Sequence, residues 1–125
     1  MGKSKRFEDT EFRQYTRFLV REVYLVSRNP LFSSDYALRD QIRRAAVSIA
    51  SNIAEGFDSQ SNAVTCRYLA SARGSASEVR AQLYLAFDFE YISKPAFEKL
   101  IPTCKSVSRQ LTGFIAYFRK MARTN

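Results

Sequence analysis

The sequence predicts an all-α protein, an antiparallel up-down-up-down four-helix bundle. Long segments space their apolar residues three and four positions apart, which is the helical period. The 125 residues include only four Gly and three Pro, and no run alternates apolar and polar residues as a strand would. Hydrophobic residues make up 46% of the chain, which is enough for the core of a single domain.

Four helices are predicted, and because their connections are short, successive helices should run antiparallel. Residues 1–8 are expected to fray. Asn29-Pro30 ends the first helix, since the residue before proline avoids the α region, and residues 31–35 are expected to form a loop. The predicted ranges are 9–28, 36–56, 62–91 and 94–122.

Capping residues support these helix boundaries. Gly56 is a natural C-terminal stop for the second helix. Pro102 lies inside the fourth helix and is expected to loosen or kink it. The N-cap candidates are Asp9 or Thr10 for the first helix, Ser34 or Asp35 for the second, and Ser93 for the fourth.

The second and third helices carry clear apolar seams. The second also has a further apolar arc, Val47, Ala50 and Ala54, which predicts burial by more than one neighbour. Gly74 lies within the third helix, where close packing against another helix or subunit is expected. The seam residues are Leu38, Ile42, Ala45, Ala46, Ile49, Ile53 and Phe57 in the second helix, and Leu69, Ala72, Ala76, Val79, Leu83 and Ala86 in the third.

The formal net charge is +8, and it is unevenly distributed. Residues 1–30 carry +3 and residues 94–125 carry +6. Because the first and last helices of an up-down bundle are neighbours, this excess predicts a one-sided basic surface that attracts polyanions. The alternative is a charge that serves solubility alone.

The candidate nucleic-acid-binding residues lie on those two helices. On the first helix, arginines at helical spacing surround one tyrosine that could stack on a base. The alternative is an ordinary solvated face with extended arginine side chains. The candidates are Arg13, Arg17, Arg21, Tyr24 and Arg28 on the first helix, and Lys105, Arg109, Arg119, Lys120 and Arg123 on the fourth.

Composition argues against several other functions. The chain has no His, which removes the commonest general acid–base group and the usual zinc ligands. Cys66 and Cys104 are expected to be buried free thiols, with a disulfide or metal role as the alternative. We therefore expect a non-enzymatic cytoplasmic protein without cofactor or metal, and no signal or membrane span is predicted.

Two blocks of the sequence resemble a known family. Gln-Ile-Arg-Arg-Ala-Ala-Val-Ser-Ile-Ala-Ser-Asn-Ile-Ala-Glu-Gly-Phe, from Gln41 to Phe57, is similar to the first motif of the bacterial 23S ribosomal RNA intervening-sequence protein family. Tyr-Leu-Ala-Ser-Ala-Arg-Gly-Ser-Ala-Ser-Glu, from Tyr68 to Glu78, resembles its second motif. Ala50 departs from the family, whose members often have proline there, so a kink at that point is not expected.

The resemblance implies an all-α bundle that assembles as a homopentamer. Accessory proteins of diversity-generating retroelements are similar, and they are basic pentamers that bind nucleic acid and a reverse transcriptase. The motif residues Arg43, Arg44, Asn52, Glu55 and Glu78 are interpreted as a buried or interfacial polar network. A catalytic constellation is the alternative. The network predicts that Glu78→Ala disrupts folding or assembly.

Two functional hypotheses follow. The first is an oligomeric accessory protein that binds RNA or DNA through the phosphate backbone. The second is a scaffold that docks a nucleic-acid enzyme such as a reverse transcriptase, using the surplus apolar residues Tyr84, Leu85, Phe87 and Phe89. A structural oligomer without either role is a further alternative.

Overall fold

The computed structural model describes the backbone of residues 3–124 and the side chains of residues 10–123. This range contains no strand, so the all-α prediction is confirmed. Four long helices pack side by side, with one short helix between the first two. The elements are α1 (Lys3–Val26), α2 (Pro30–Ser34), α3 (Tyr36–Asp58), α4 (Asn62–Asp88) and α5 (Lys94–Thr124).

Several predicted boundaries differ from the structure. The helix α3 continues past the predicted stop at Gly56 to Asp58, and α4 ends at Asp88 instead of residue 91. The helix α1 begins at Lys3, not at Asp9 or Thr10. The intervening residues are mainly Lys, Arg and Glu, good helix formers with no Gly or Pro to stop the helix. Of the residues predicted to fray, 1 and 2 lie outside the described range.

The predicted loop at residues 31–35 contains the short helix α2. Pro30 stands at its first position, where the fixed φ of proline suits a helix. The side chain of Asn29 caps it by accepting a 3.1 Å hydrogen bond from the Leu31 N–H. Asp35 then caps α3 by accepting a 3.2 Å bond from the Leu38 N–H, as predicted.

Side-chain contacts show that neighbouring helices run antiparallel. Between α1 and α3, residues near opposite ends pair: Arg13 with Asp58, and Ser27 with Arg43. The helix α1 also packs on α5, where the rings of Phe12 and Phe114 lie 5.2 Å apart. The other pairs are Ser48 with Ser75 between α3 and α4, and Arg73 with Thr112 and Phe87 with Phe97 between α4 and α5. The order around the bundle is α1, α3, α4, α5.

The core consists of the predicted seams. Every seam residue predicted in α3 and α4 is buried. The second apolar arc of α3 is only partly covered, because Val47 remains 42% exposed. Gly74 departs from expectation, since a Cβ placed on it would meet nothing within 4 Å. Within the chain, the close packing occurs at Gly56, where a Cβ would lie 3.1 Å from Leu69.

The turn between α4 and α5 has a well-defined geometry. Glu90 adopts a left-handed φ of 62° just after the C-cap Phe89. The Glu90 N–H donates to the carbonyl of Phe87, and the Tyr91 N–H donates to that of Ala86. These two bonds form a Schellman motif. Beyond the turn, the Ser93 hydroxyl accepts a 3.2 Å bond from the Ala96 N–H, so Ser93 caps α5 as predicted.

Candidate nucleic-acid interface

Of the arginines along α1, Arg13 contacts α3 directly, and Arg17 and Arg21 lie beside it at helical spacing and are exposed. Arg13 donates a 3.0 Å bond to Asp58 and lies 5.5 Å from the centre of the Phe57 ring, both on α3. The opposite flank of α1 faces α5, because Lys99 pairs there with Glu22. Arg13 therefore lies on the side of α1 that faces α3, away from the seam with α5.

The helix α3 adds two more arginines to this side of the bundle. Arg43 donates from Nε to the Ser27 hydroxyl at 2.8 Å, and its guanidinium lies 4.8 Å from the centre of the Tyr24 ring. Arg39 donates to Asp40 at 2.9 Å and lies 4.9 Å from the Tyr36 ring.

We call this surface the α1–α3 arginine face. It comprises Arg13, Arg17 and Arg21 of α1, Arg28 in the turn just after α1, and Arg39 and Arg43 of α3.

Charge on this face is only partly neutralised. Asp58 offsets Arg13, and Asp40 offsets Arg39. The hydrogen bond from Arg39 lowers the pKa of the Asp40 carboxyl from its ordinary value, so that carboxylate stays charged. The other three arginines, Arg17 and Arg21 of α1 and Arg28 just after it, are exposed and have no acidic partner among the described residues.

The structure does not bring the basic residues of α5 onto this face. All five are exposed: Lys105, Arg109, Arg119, Lys120 and Arg123. They point outward from a different corner of the bundle than the α1 arginines. The predicted shared surface of the first and last helices is therefore not formed, although the two helices are neighbours.

The seam between α1 and α5 carries a different chemistry. It contains a cavity of about 720 Å³ lined by no lysine or arginine. Its lining residues are Glu11, Phe12, Tyr15, Ser106, Gln110, Gly113 and Phe114. This seam separates the two basic sets.

The two family-like motifs face each other across a polar groove between α3 and α4. The Ser75 hydroxyl donates a 3.1 Å bond to the Ser48 hydroxyl. Asn52 donates back to the Ser48 carbonyl at 2.9 Å. Arg44 and Glu78 line a cavity of about 230 Å³ in the same groove. The motifs, which lie on the consecutive helices α3 and α4, thus meet in space.

The predicted buried network is wrong for the single chain. Glu55 and Glu78 are exposed, since both lie well away from the buried seams of their helices. No described hydrogen bond joins either carboxylate to an arginine, and Arg43 turns to α1 instead. The interfacial version of the prediction is left, in which these residues pair between copies of the chain.

The two cysteines are free thiols, as predicted. Cys104 is buried, and this desolvation raises the pKa of its thiol to about 12. Cys66 is half-buried and donates a long S–H bond of 3.7 Å to the Ile115 carbonyl.

Two other kinds of site are absent from the part of the chain that the structure describes. The side chains of residues 10–123 form no cluster of three His, Cys, Asp or Glu that could bind a metal ion. None of their helices combines the length and apolar character that crossing a membrane requires.

The fold and its arginine face define the class as a small basic protein with an all-α bundle. Residues 8–113 match the family described as the 23S rRNA-intervening sequence protein, and the chain belongs to that family. No curated protein matches the chain.

One similar solved structure is a protein of unknown function from the S23 ribosomal protein family of Bacteroides thetaiotaomicron VPI-5482. The two chains are 27% identical, and the match covers 86% of this chain and 97% of that one, with a TM-score of 0.78. The likeness therefore extends over nearly the whole bundle.

Proposed function

We propose that the protein is a non-enzymatic accessory protein that binds nucleic acid by its phosphate backbone through the α1–α3 arginine face. The observation that carries this proposal is the exposed row of Arg17, Arg21 and Arg28 along and just beyond α1, which have no acidic partner among the described residues. Guanidinium groups suit phosphate because they donate paired hydrogen bonds. Such contacts give affinity without base sequence specificity.

Local energetics support a ligand at this row. Like charges four residues apart on a helix destabilise it by a few tenths of a kcal/mol. Arg17 and Arg21 stand in this relation, and both are exposed. Phosphate groups bound at these guanidinium groups would reduce that repulsion.

The test compares two triple variants with matched loss of charge. The first variant replaces Arg17, Arg21 and Arg28 with alanine. The second replaces Lys105, Arg109 and Lys120 of α5 with alanine. Both sets are exposed, so both variants should fold, as circular dichroism would show. Binding of labelled RNA and DNA is measured by fluorescence anisotropy at two salt concentrations.

We expect the α1 variant to lose binding and the α5 variant to retain most of it. For a duplex ligand, log affinity falls against log salt with a slope of about 0.9 per phosphate contacted, so the α1 variant should have the shallower slope. Equal losses in both variants would show that net charge alone attracts the ligand. Absence of binding at low salt by the unmodified protein would refute the proposal.

We further propose that copies of the chain assemble through the polar groove of α3 and α4. The support is the groove's pattern of exposed charge: Arg44 and Glu78 line one cavity, and Glu55 and Arg67 lie further along it. Each of the two helices carries one positive and one negative side chain along the groove, so a neighbouring copy would contact charges of both signs. Gly74 on the outer side of α4 leaves room for close approach. The family resemblance suggests five copies.

Light scattering after gel filtration tests this assembly. The mass is expected to be a multiple of 14.4 kDa and to fall in Gly74→Leu and in Glu78→Ala. The control is Ala81→Ser, a conservative substitution at another exposed residue of α4. A monomer at all concentrations would exclude the assembly.

The second candidate function, a scaffold for a nucleic-acid enzyme, is favoured by one apolar patch. At the end of α4, Leu85 is 45% exposed and Phe89 is 54% exposed, while Phe87 is covered by the Phe97 ring. Exposed apolar residues of this kind are common at protein interfaces. A purified reverse transcriptase that binds the protein but not a Leu85→Ser/Phe89→Ser variant would support this role.

A further inference from the structure

We infer that the α1–α3 arginine face binds double-stranded nucleic acid in preference to single strands. This inference rests on the proposed function and specifies the class of its ligand. The choice between the two classes depends on whether the face offers aromatic planes for bases, phosphate contacts alone, or both.

An arginine guanidinium lies over one side of each aromatic ring of this face. Proteins that bind single strands stack successive bases on exposed aromatic side chains. Tyr24 is half-buried, and the Arg43 guanidinium lies 4.8 Å from its ring centre. Tyr36 is 67% exposed, yet the Arg39 guanidinium lies 4.9 Å from its ring. Each guanidinium therefore occupies one of the two ring faces on which a base could stack.

The middle of the face offers no aromatic surface either. The pairs Arg13–Asp58 and Ser27–Arg43 set the register of α1 against α3. That register places small side chains of α3, Val47, Ala50 and Ala54, beside the exposed arginines. A flat strip of small apolar side chains can approach a phosphate backbone closely, but it cannot stack an unpaired base.

The length of the arginine row suits two strands. Arg17 and Val26, the last residue of α1, are nine positions apart, which corresponds to about 14 Å along the helix, and Arg28 lies two residues further, in the turn. The major groove of B-form DNA is about 12 Å wide. The two ends of the row can therefore reach phosphates on both sides of a groove, with Arg21 between them. A single strand has no second backbone to contact.

The test measures three probes by fluorescence anisotropy with the full chain: a DNA duplex of about two helical turns, the RNA duplex of the same sequence, and one unstructured strand of it. We expect at least one duplex to bind more tightly than the strand by about tenfold or more. The Arg17, Arg21 and Arg28 triple variant should lose this difference. The exposed substitution Tyr36→Ala should leave the ratio of affinities unchanged.

The outcomes separate this inference from the function it rests on. If no probe binds, the proposed function fails. If the strand binds as tightly as both duplexes, the function stands and the duplex preference is wrong. A strand affinity that exceeds the duplex affinities and falls in Tyr36→Ala would identify Tyr36 as a stacking platform and overturn the inference directly.

Discussion

The hydroxyl of Tyr91 donates a 2.9 Å hydrogen bond to Oδ2 of Asp35, whose Oδ1 accepts from the Leu38 N–H. One carboxylate therefore caps α3 and also holds the turn between α4 and α5. Tyr91 in turn packs on the buried ring of Phe32, with ring centres 5.5 Å apart. These contacts tie the short helix α2 to the end of the bundle.

Asp35→Ala should destabilise the protein more than Asp35→Asn. Alanine removes the N-cap, which costs about 1 kcal/mol, and also the acceptor for Tyr91. Asparagine is an equally good N-cap residue and keeps a polar partner for the hydroxyl. Urea denaturation gives the free energies of unfolding. Asp40→Ala is the control, since loss of that exposed carboxylate should change the free energy of unfolding little. Equal destabilisation by both Asp35 variants would contradict the role of Asp35 as both the cap of α3 and the acceptor for Tyr91.

The Tyr91–Asp35 bond should also give stability an alkaline limit. The hydrogen bond to Asp35 raises the pKa of Tyr91 above the ordinary tyrosine value. Its contribution is fully present below the unfolded pKa of about 10 and is lost as pH rises through the higher folded pKa. The difference in stability between the unmodified protein and Tyr91→Phe should therefore shrink in strong alkali. A difference that is constant with pH would exclude this linkage.

Glu90→Gly should stabilise the protein. Glu90 holds a left-handed φ of 62° at the Schellman position of α4, where glycine avoids a strain of about 1 kcal/mol. Glu90→Ala removes the same charge but keeps the Cβ, so it should give no comparable gain. Urea midpoints of the three proteins measure this. If Glu90→Ala raised the urea midpoint as much as Glu90→Gly, the loss of the charge would explain the stabilisation, and relief of backbone strain would not.

The glycines should respond to alanine in opposite directions. Gly74→Ala and Gly113→Ala should each add up to about 1 kcal/mol of helix stability, since their added Cβ atoms meet nothing within 4 Å. Gly56→Ala should destabilise, because its Cβ would lie 3.1 Å from both Leu69 Cδ2 and Tyr68 Cβ. Thermal unfolding of the monomer at low concentration tests this. Stabilisation by Gly56→Ala would show that these side chains move freely.

Cys104 should resist alkylation in the native protein. Its burial raises the thiol pKa to about 12, so little of the reactive thiolate exists near neutral pH. Iodoacetamide treatment followed by peptide mass spectrometry should find Cys104 unmodified until urea is added. Cys66, which is half-buried, provides the internal comparison. Rapid native labelling of Cys104 would show that the core opens there.

Local sequence patterns determined the helices, their buried seams and several caps. The seam of α4 is buried from Leu69 to Ala86 because its apolar residues recur at the helical period, and that period needs no tertiary information. Asp35 and Ser93 cap helices as predicted, since capping depends on neighbouring residues. The short helix α2 was missed because Pro30 signals the end of one helix as well as the start of another.

Only the tertiary structure decided which helix packs against each side of its neighbour. The sequence placed four arginines on one flank of α1, but an up-down bundle can turn in either direction around its axis. That direction decides whether the arginine flank of α1 packs against α3 or against α5. Helical periodicity cannot distinguish the two arrangements, because it is the same in both. The bond from Arg43 to Ser27 shows that α3 is the neighbour of this flank. The arginine face therefore includes α3, and the basic residues of α5 lie elsewhere.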